Sequence, residues 1–212
     1  MWRHHLPWVA PCLLAAGIYF TLSQRALEFF GFRVQLFLVH VLCMGLAGVV
    51  LLPTTTACIA MRGRAPAALR KVLAVSHGVT NIALVAVSAV GFWAIFQNKN
   101  LHGKAHFTSW HSWAGLATLA LWLMNLALGL QRLVALGSWQ WRHVLHRLVG
   151  TLAGTISLGA VVTGIWSQWG QAALGAHLQW ILTALIGLVA SLAQGTSLWP
   201  SAKAKHGTTK GD

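Results

Sequence analysis

The sequence predicts an all-α membrane protein with six transmembrane helices, and three observations carry that prediction. Of its 212 residues, 57% are hydrophobic and 8% charged, whereas a soluble domain spends about a quarter of its residues on charge. A chain so poor in charge cannot cover a surface that faces water. Six apolar runs approach or exceed the roughly 20 residues a helix needs to cross the hydrocarbon core. The 15 lysines and arginines stand in short clusters between those runs. That distribution orients a membrane protein; a nucleic-acid partner is not expected.

The first span, about Trp8 to Ser23, is the shortest and has Pro11 in its opening turn. Arg3, His4 and His5 ahead of it also suit a secretory leader. No small-residue cleavage site follows, and Gln24-Arg25 ends the run abruptly, so a retained helix is expected. The second span, Val34 to Met61, is over-long, and Pro53 before Thr54-Thr55-Thr56 predicts a kink. Leu69 to Phe96, His106 to Leu130, Val144 to Trp166 and Leu174 to Ala193 complete the set. Short connections make neighbours antiparallel, in a bundle with a central group of four helices. Residues 1–195 are expected to form one transmembrane domain, with a histidine-bearing core at about 34–166. Residues 196–212, ending in a Lys-, Thr- and Gly-rich stretch, are expected to be a disordered cytoplasmic tail. With the N-terminus inside, eleven basic residues fall on the cytoplasmic side and four (Arg25, Arg33, Lys99, Lys104) outside. Both termini are therefore expected in the cytoplasm. Tryptophans such as Trp8, Trp93, Trp110 and Trp166 lie near span ends, where an amphipathic ring prefers to sit.

The acids are Glu28 and Asp212 alone, against a formal charge of +13. Paired-acid hydrolysis, carboxylate metal cages and Asp-assisted phosphoryl transfer each need acidic side chains that this chain lacks. Cys12, Cys43 and Cys58 lie in apolar runs without paired spacing, which gives neither a disulfide framework nor a zinc site. No glycine fingerprint and no long soluble stretch offers a nucleotide fold.

Four histidines stand out from the eleven. His40, His77, His111 and His146 each lie inside one of the four middle spans, and no carboxylate is at hand to pair with any of them. A lone imidazole in lipid is commonly a structural group bonded to a neighbouring helix; one in each of four consecutive helices suggests more. Depth pairs them. His40 and His111 lie six and five residues into spans that enter from outside. His77 and His146 lie six and four residues after Lys71 and Arg142, entering from the cytoplasm. The two levels are then on the order of 20 Å apart at 1.5 Å per residue. Two facing imidazoles at one level are what six-coordinate haem iron requires, and a bundle interior suits the macrocycle. Gly115 and Gly150 follow His111 and His146 by four residues, Gly78 follows His77, and Ala47-Gly48 follow His40 by seven and eight. Such small neighbours leave room for a flat ring, although close helix packing also uses them. Zinc would want further ligands that no nearby Cys or acid provides.

At these residues the chain resembles the eukaryotic cytochrome b561 family, in its short, domain-only branch. His106-Phe107-Thr108-Ser109-Trp110-His111-Ser112-Trp113 is similar to the family's Ser-Leu-His-Ser-Trp signature, with Trp110 in place of its Leu. His40-Val41-Leu42-Cys43-Met44 is similar to His-Pro-Leu-Cys-Met without the proline. His77-Gly78, His146 with Gly150, and Gly103-Lys104-Ala105-His106 extend the likeness over about Val34 to Trp166. The resemblance implies a six-helix bundle with two b haems carrying single electrons across a membrane. It implies cytosolic ascorbate as donor, monodehydroascorbate or a ferric chelate as acceptor, and often a homodimer. His77 and His146 would hold the cytoplasmic haem, His40 and His111 the other. Lys71 and Arg70 lie where the family carries ascorbate-side lysines, Val75 stands where a closer lysine is often found, and Arg142 lies at the fifth-span entrance.

Bis-histidine iron leaves no open coordination position and so favours electron transfer over ligand chemistry. Arg62, Arg64, Arg70, Lys71, Arg142 and Arg147 form a cationic inner rim suited to an ascorbate anion, while Lys104 and His106 outside suit an anionic acceptor. The leading expectation is therefore a transmembrane ascorbate-dependent oxidoreductase. A dihaem quinol or superoxide oxidoreductase working at one face, and a non-catalytic transporter whose histidines gate protons or bind metal, are the alternatives. Transport usually comes with broken helices or internal repeats, and of these only Pro53 gives a hint.

Overall fold

The computed structural model describes residues 6–33, 35–63, 65–136 and 144–198. Among them every regular element is a helix: α1 Leu6–Phe29, α2 Leu36–Arg62, α3 Ala67–Leu101, α4 Trp110–Leu136, α5 Val144–Ile165 and α6 Gln168–Leu198. Five of these, α2 to α6, are long and apolar enough to cross a membrane. The expectation of six such spans is thus met in five. α1 has 24 residues, with Gln24, Arg25 and Glu28 in its last third, and is not among those five when the described residues alone are counted. The outward-facing side chains are those that dissolve in lipid, including Leu13, Phe20, Val79, Val90, Trp93, Leu123, Leu148 and Ile181.

Two antiparallel hairpins organise the bundle. α2 packs along α3 and α4 along α5, while the two hairpins approach each other more sparsely. α1 and α6 lie together against the outside of this arrangement, where Ala15, Ile18 and Leu22 meet Val49, Ile165, Leu182, Ile186 and Val189. Between the hairpins a second cluster takes one buried residue from each helix: Ala47, Leu84, Trp122 and Ala153.

α2 is not a simple kinked helix. Residues Leu46–Leu51 form a π-helical stretch, flanked by the α-helical segments Leu36–Gly45 and Leu52–Arg62. Pro53 explains the position, because proline has no N–H to donate and its ring crowds the carbonyl four residues back. A wider turn upstream relieves that crowding and adds one residue to the helix. The hydroxyls of Thr54 and Thr56 turn back onto the carbonyls of Val50 and Leu52, at 2.7 and 2.9 Å.

α4 starts at Trp110, four residues later than the sequence suggests, which leaves His106 in the α3–α4 turn. Gly103 and Phe107 hold left-handed backbone angles (φ +60° and +54°), and such residues do not continue a right-handed helix. Ser109 then caps the helix. Its hydroxyl lies 3.3 Å from the Ser112 amide, and the Ser112 hydroxyl lies 3.1 Å from the Ser109 amide, a reciprocal capping box.

α6 begins at Gln168, earlier than expected, and breaks at Gly175, whose φ of +70° and ψ of 159° lie outside the helical region. Its first turn is pressed onto the end of α5. The Ile165 carbonyl accepts a 2.8 Å bond from the buried Gln179 amide, and a Cβ on Gly170 would overlap that same carbonyl. Only glycine fits there. Gly170→Ala is therefore expected to lower stability by about 1–3 kcal/mol, as overpacking does. Gly17→Ala, in α1 with nothing within 4 Å of the added methyl, is expected to be neutral or slightly stabilising. Thermal unfolding of both variants in detergent micelles checks the contrast; equal melting points would sink it.

Candidate functional site

Each histidine-bearing helix brings its ring to the gap between the hairpins. At the level next to the 102–109 turn (the upper level), the His40 and His111 ring centres are 6.1 Å apart with planes at 85°. At the level next to the α2–α3 turn (the lower level), His77 and His146 are 6.2 Å apart at 76°. No ring pairs across levels in this way. His146 meets the Asn125 carbonyl of α4, so on α4 the levels lie at His111 and Asn125, about 21 Å apart along the axis.

A second set of contacts fixes how each ring points. His40 Nδ1 lies 3.0 Å from the Gly91 carbonyl, His77 Nδ1 3.0 Å from that of Thr55, His111 Nδ1 2.9 Å from that of Ala160, and His146 Nδ1 3.2 Å from that of Asn125. A carbonyl only accepts, so in each bond Nδ1 must carry the proton. In that tautomer the lone pair of a neutral ring is on Nε2, the form in which histidine binds a metal; at His77 the Asn81 amide nitrogen lies 3.3 Å from it. Within each hairpin the bonds are reciprocal: α2 and α3 exchange one at each end, and so do α4 and α5.

The pairs can be tested for fit to iron. A metal between two opposed imidazoles, with bonds of about 2 Å and roughly 1.15 Å from ring centre to nitrogen, sets the centres about 6.3 Å apart. The separations of 6.1 and 6.2 Å match that span. Among the described residues no group of three or more His, Cys, Asp or Glu side chains could hold a metal. Each level therefore offers two protein ligands, which suits an iron whose remaining four come from a macrocycle. Thr118 Oγ1, Trp122 Nε1 and Asn125 Oδ1, buried along the stripe of α4 that carries His111, have no hydrogen-bond partner in the protein, which suits a face turned toward a bound group. The residues present fit a haem at each level.

The glycines divide by role. Gly78 and Gly115 have nothing within 4 Å of where a Cβ would stand, leaving room beside His77 and His111. Gly150 instead packs on the Asn125 side chain, and Gly48 on Val161 and Ser157; these two serve helix packing. Two glycines that spacing did not single out matter more. A Cβ on Gly164 would come 3.0 Å from the His111 ring, and one on Gly129 3.5 Å from the His146 ring. Each stands one turn after the carbonyl its histidine uses, so the bare backbone admits the ring to that carbonyl. The clue was available, because α4 and α5 share the order His, Gly four later, Gly eighteen later (His111, Gly115, Gly129; His146, Gly150, Gly164).

Register explains the π-helical turn. His77, His111 and His146 each precede their own helix's acceptor (Gly91, Asn125, Ala160) by fourteen residues, but His40 precedes Thr55 by fifteen. The wide turn at Leu46–Leu51 absorbs the extra residue, so Thr55 still faces His77.

The other candidates scatter around the ends. Arg70 and Lys71 are exposed in the first turns of α3, with Arg70 Nε 2.9 Å from the Ala65 carbonyl. Lys71 precedes His77 by six residues, or about 9 Å of helix. Arg62 closes α2 at the same end, and Arg147 is exposed there. Arg64 and Arg142 lie outside the described residues. In the α3–α4 turn Lys104 is exposed, while His106 stacks on Phe96 with ring centres 4.1 Å apart and bonds Asn100 Oδ1 through Nε2 at 2.8 Å. Lys99 reaches the Ala105 carbonyl at 3.0 Å. Phe37 lies 6.0 Å from His40 and 6.2 Å from Trp169, ring centre to ring centre, covering the upper pair from the other side.

Comparison with known proteins gives the family. Over 95 residues the chain is 30% identical to the lysosomal membrane ascorbate-dependent ferrireductase of Rattus norvegicus, a stretch covering 43% of this chain and 37% of that protein. The chain thus matches little more than a third of that relative's length. The family model for eukaryotic cytochrome b561 matches residues 39–171, which take in all four histidines, both hairpins and the turn into α6. This all-helical membrane protein belongs to the eukaryotic cytochrome b561 family.

Proposed function

We propose that this chain carries single electrons across a membrane, from cytosolic ascorbate to monodehydroascorbate or a ferric chelate on the opposite side. His40 and His111 would hold one b haem and His77 and His146 a second. One observation carries this reading. Four imidazoles, each pinned through Nδ1 to a backbone carbonyl, face one another in two pairs at 6.1 and 6.2 Å. Family membership and the ferrireductase relative support the donor and the ferric acceptor.

Haem b, when bound, supplies a reversible one-electron couple with no open coordination position. The rest falls to the chain. Its hairpins hold the rings at two depths, which divides the crossing into short steps, and its apolar exterior keeps water and ions out of the gap. α1 completes the bundle as a sixth span, and both ends of the chain lie on the cytoplasmic side, in keeping with the surplus of Lys and Arg there. The lower level then faces the cytoplasm. Arg70, Lys71 and Arg142 attract the ascorbate anion toward it, with Arg62 adding to the field. On the other side Lys104 and His106 receive the acceptor. Asn100 and Phe96 fix the His106 ring in place, so it meets an incoming anion or chelate without first being ordered.

Two experiments test this. Redox titration of purified variants, counting the remaining haem centres, is expected to show the same centre missing in His40→Ala and His111→Ala, and the other missing in His77→Ala and His146→Ala. Any variant that removes a centre belonging to the other pair sinks the assignment. In sealed vesicles with a ferric chelate or ferricyanide trapped inside, external ascorbate is expected to reduce the trapped acceptor. Arg70→Ala and Lys71→Ala are each expected to slow that second-order reduction by up to about tenfold at low salt, with the difference shrinking as ionic strength rises. Two haems that ascorbate cannot reduce would mean that the donor is wrong.

A further inference from the structure

The two levels repeat the same ligands but not the same surroundings. His40 and His111, the upper pair, each direct Nδ1 at a backbone carbonyl, Gly91 and Ala160 respectively. His77 directs Nδ1 at two oxygens of one residue: the Thr55 carbonyl at 3.0 Å and the Thr55 hydroxyl at 2.8 Å. That hydroxyl is held from a second side. Asn81, one turn after His77 on the same face of α3, donates one amide hydrogen to Thr55 Oγ1 at 2.6 Å and the other to the His77 carbonyl at 2.7 Å. The Thr55 hydroxyl hydrogen points to the His77 carbonyl at 3.3 Å. Its lone pairs therefore face Asn81 and the imidazole N–H, and every donor in the set has a place to go. Thr55 is 4% exposed, and its branched Cβ allows few rotamers. Thr55 is buried while His77 and Asn81 are half-buried among apolar helix surfaces, where water competes less for such bonds than at an exposed site.

We infer that Thr55, pinned by Asn81, is a positioning residue that sets the redox potential of the lower haem centre below what the carbonyl alone would give, and so separates the two centres. The inference rests on the two-haem reading above. A second acceptor on Nδ1–H draws the proton outward and leaves more electron density at Nε2. A more basic axial nitrogen favours the more highly charged ferric iron. Upper and lower centres thus differ although their primary ligands are identical. The device depends on the π-helical turn of α2, since without its extra residue Thr55 would not face His77.

Spectroelectrochemical titration of the haem-loaded protein tests this, with the centres assigned from His77→Ala and His40→Ala. Thr55→Val keeps the shape, the branching and the carbonyl and removes the hydroxyl. It is expected to raise the reduced fraction of the lower centre severalfold at a fixed potential, up to about tenfold, which is about 59 mV for a one-electron couple. The upper centre should stay where it was, and the paramagnetic resonance signal of the lower ferric centre alone should move. Thr55→Ser should restore both. Asn81→Ala, which frees the hydroxyl without deleting it, should move the lower centre the same way by less. An unmoved lower centre in Thr55→Val, or equal movement of both centres, overturns the inference. If Thr55→Val fails to load the lower haem, an unmoved potential in Asn81→Ala overturns it instead. A wild-type protein with fewer than two b-type centres would overturn the function reading, and this inference with it.

Discussion

A polar group inside lipid must find its partner within the protein, and the rest of this structure depends on how four imidazoles meet that demand. Among the described residues Glu28 is the one carboxylate, and it pairs with Arg25 near the end of α1, not with an imidazole. The acceptors that remain in quantity are backbone carbonyls, already engaged in helical bonds but with a second lone pair to spare. Each histidine takes one from the helix it is paired with. The same bond ties the hairpin at that end, chooses the tautomer and turns Nε2 into the gap between hairpins. Packing and site chemistry are here one interaction, used four times.

From that constraint the irregular features acquire reasons. A ring can reach a helical carbonyl only where side chains do not cover it, which is why Gly129 and Gly164 stand beside His146 and His111. On the other hairpin, Gly91 both offers its carbonyl to His40 and lets Cys43 and Met44 of α2 close upon α3, where a Cβ would come within 2.9 Å of Cys43. The Leu46–Leu51 turn corrects a one-residue mismatch in α2. Ala47, Leu84, Trp122 and Ala153 meet between the levels; three of them stand seven residues after a paired histidine, and α4 fills the layer with its tryptophan. That apolar floor keeps the two levels separate while placing an aromatic ring between them.

Much of this was legible in the residues. Helical rise is constant, so depth alone paired His40 with His111 and His77 with His146, and it put the levels about 20 Å apart before any packing was known. Lipid-facing composition identified five of the spans outright. What escaped has a common cause: it lies in the backbone. Nothing in the identity of Ala160 or Asn125 marks its carbonyl as an acceptor. Pro53 announced a disturbance in α2 but not its form, because kinks and π-turns relieve the same crowding. The start of α4 was placed at His106 because its neighbours are apolar enough, whereas the left-handed angle at Phe107 belongs to a turn that hydropathy does not register. Nothing in the sequence marks Thr55 or Asn81, and only their meeting across α2 and α3 gives them chemistry.

A wire built from two equal units would have no direction of its own. The hairpins here are near copies in their spacing of histidine and acceptor, and both levels offer the same two imidazoles at nearly the same separation. The potentials of donor and acceptor set the net direction, so what differs between the levels bears on which partner each face receives. At the lower level the differences are a hydroxyl and an amide set around His77. At the upper level they are aromatic: Phe37 and Trp169 on one side, and Phe96 beneath His106 on the other. In the proposed function the polar level would face the small anionic donor and the aromatic level the bulkier acceptor. In the proposed function the symmetric core would pass the electron, and the unsymmetrical ends would select which partner meets each face.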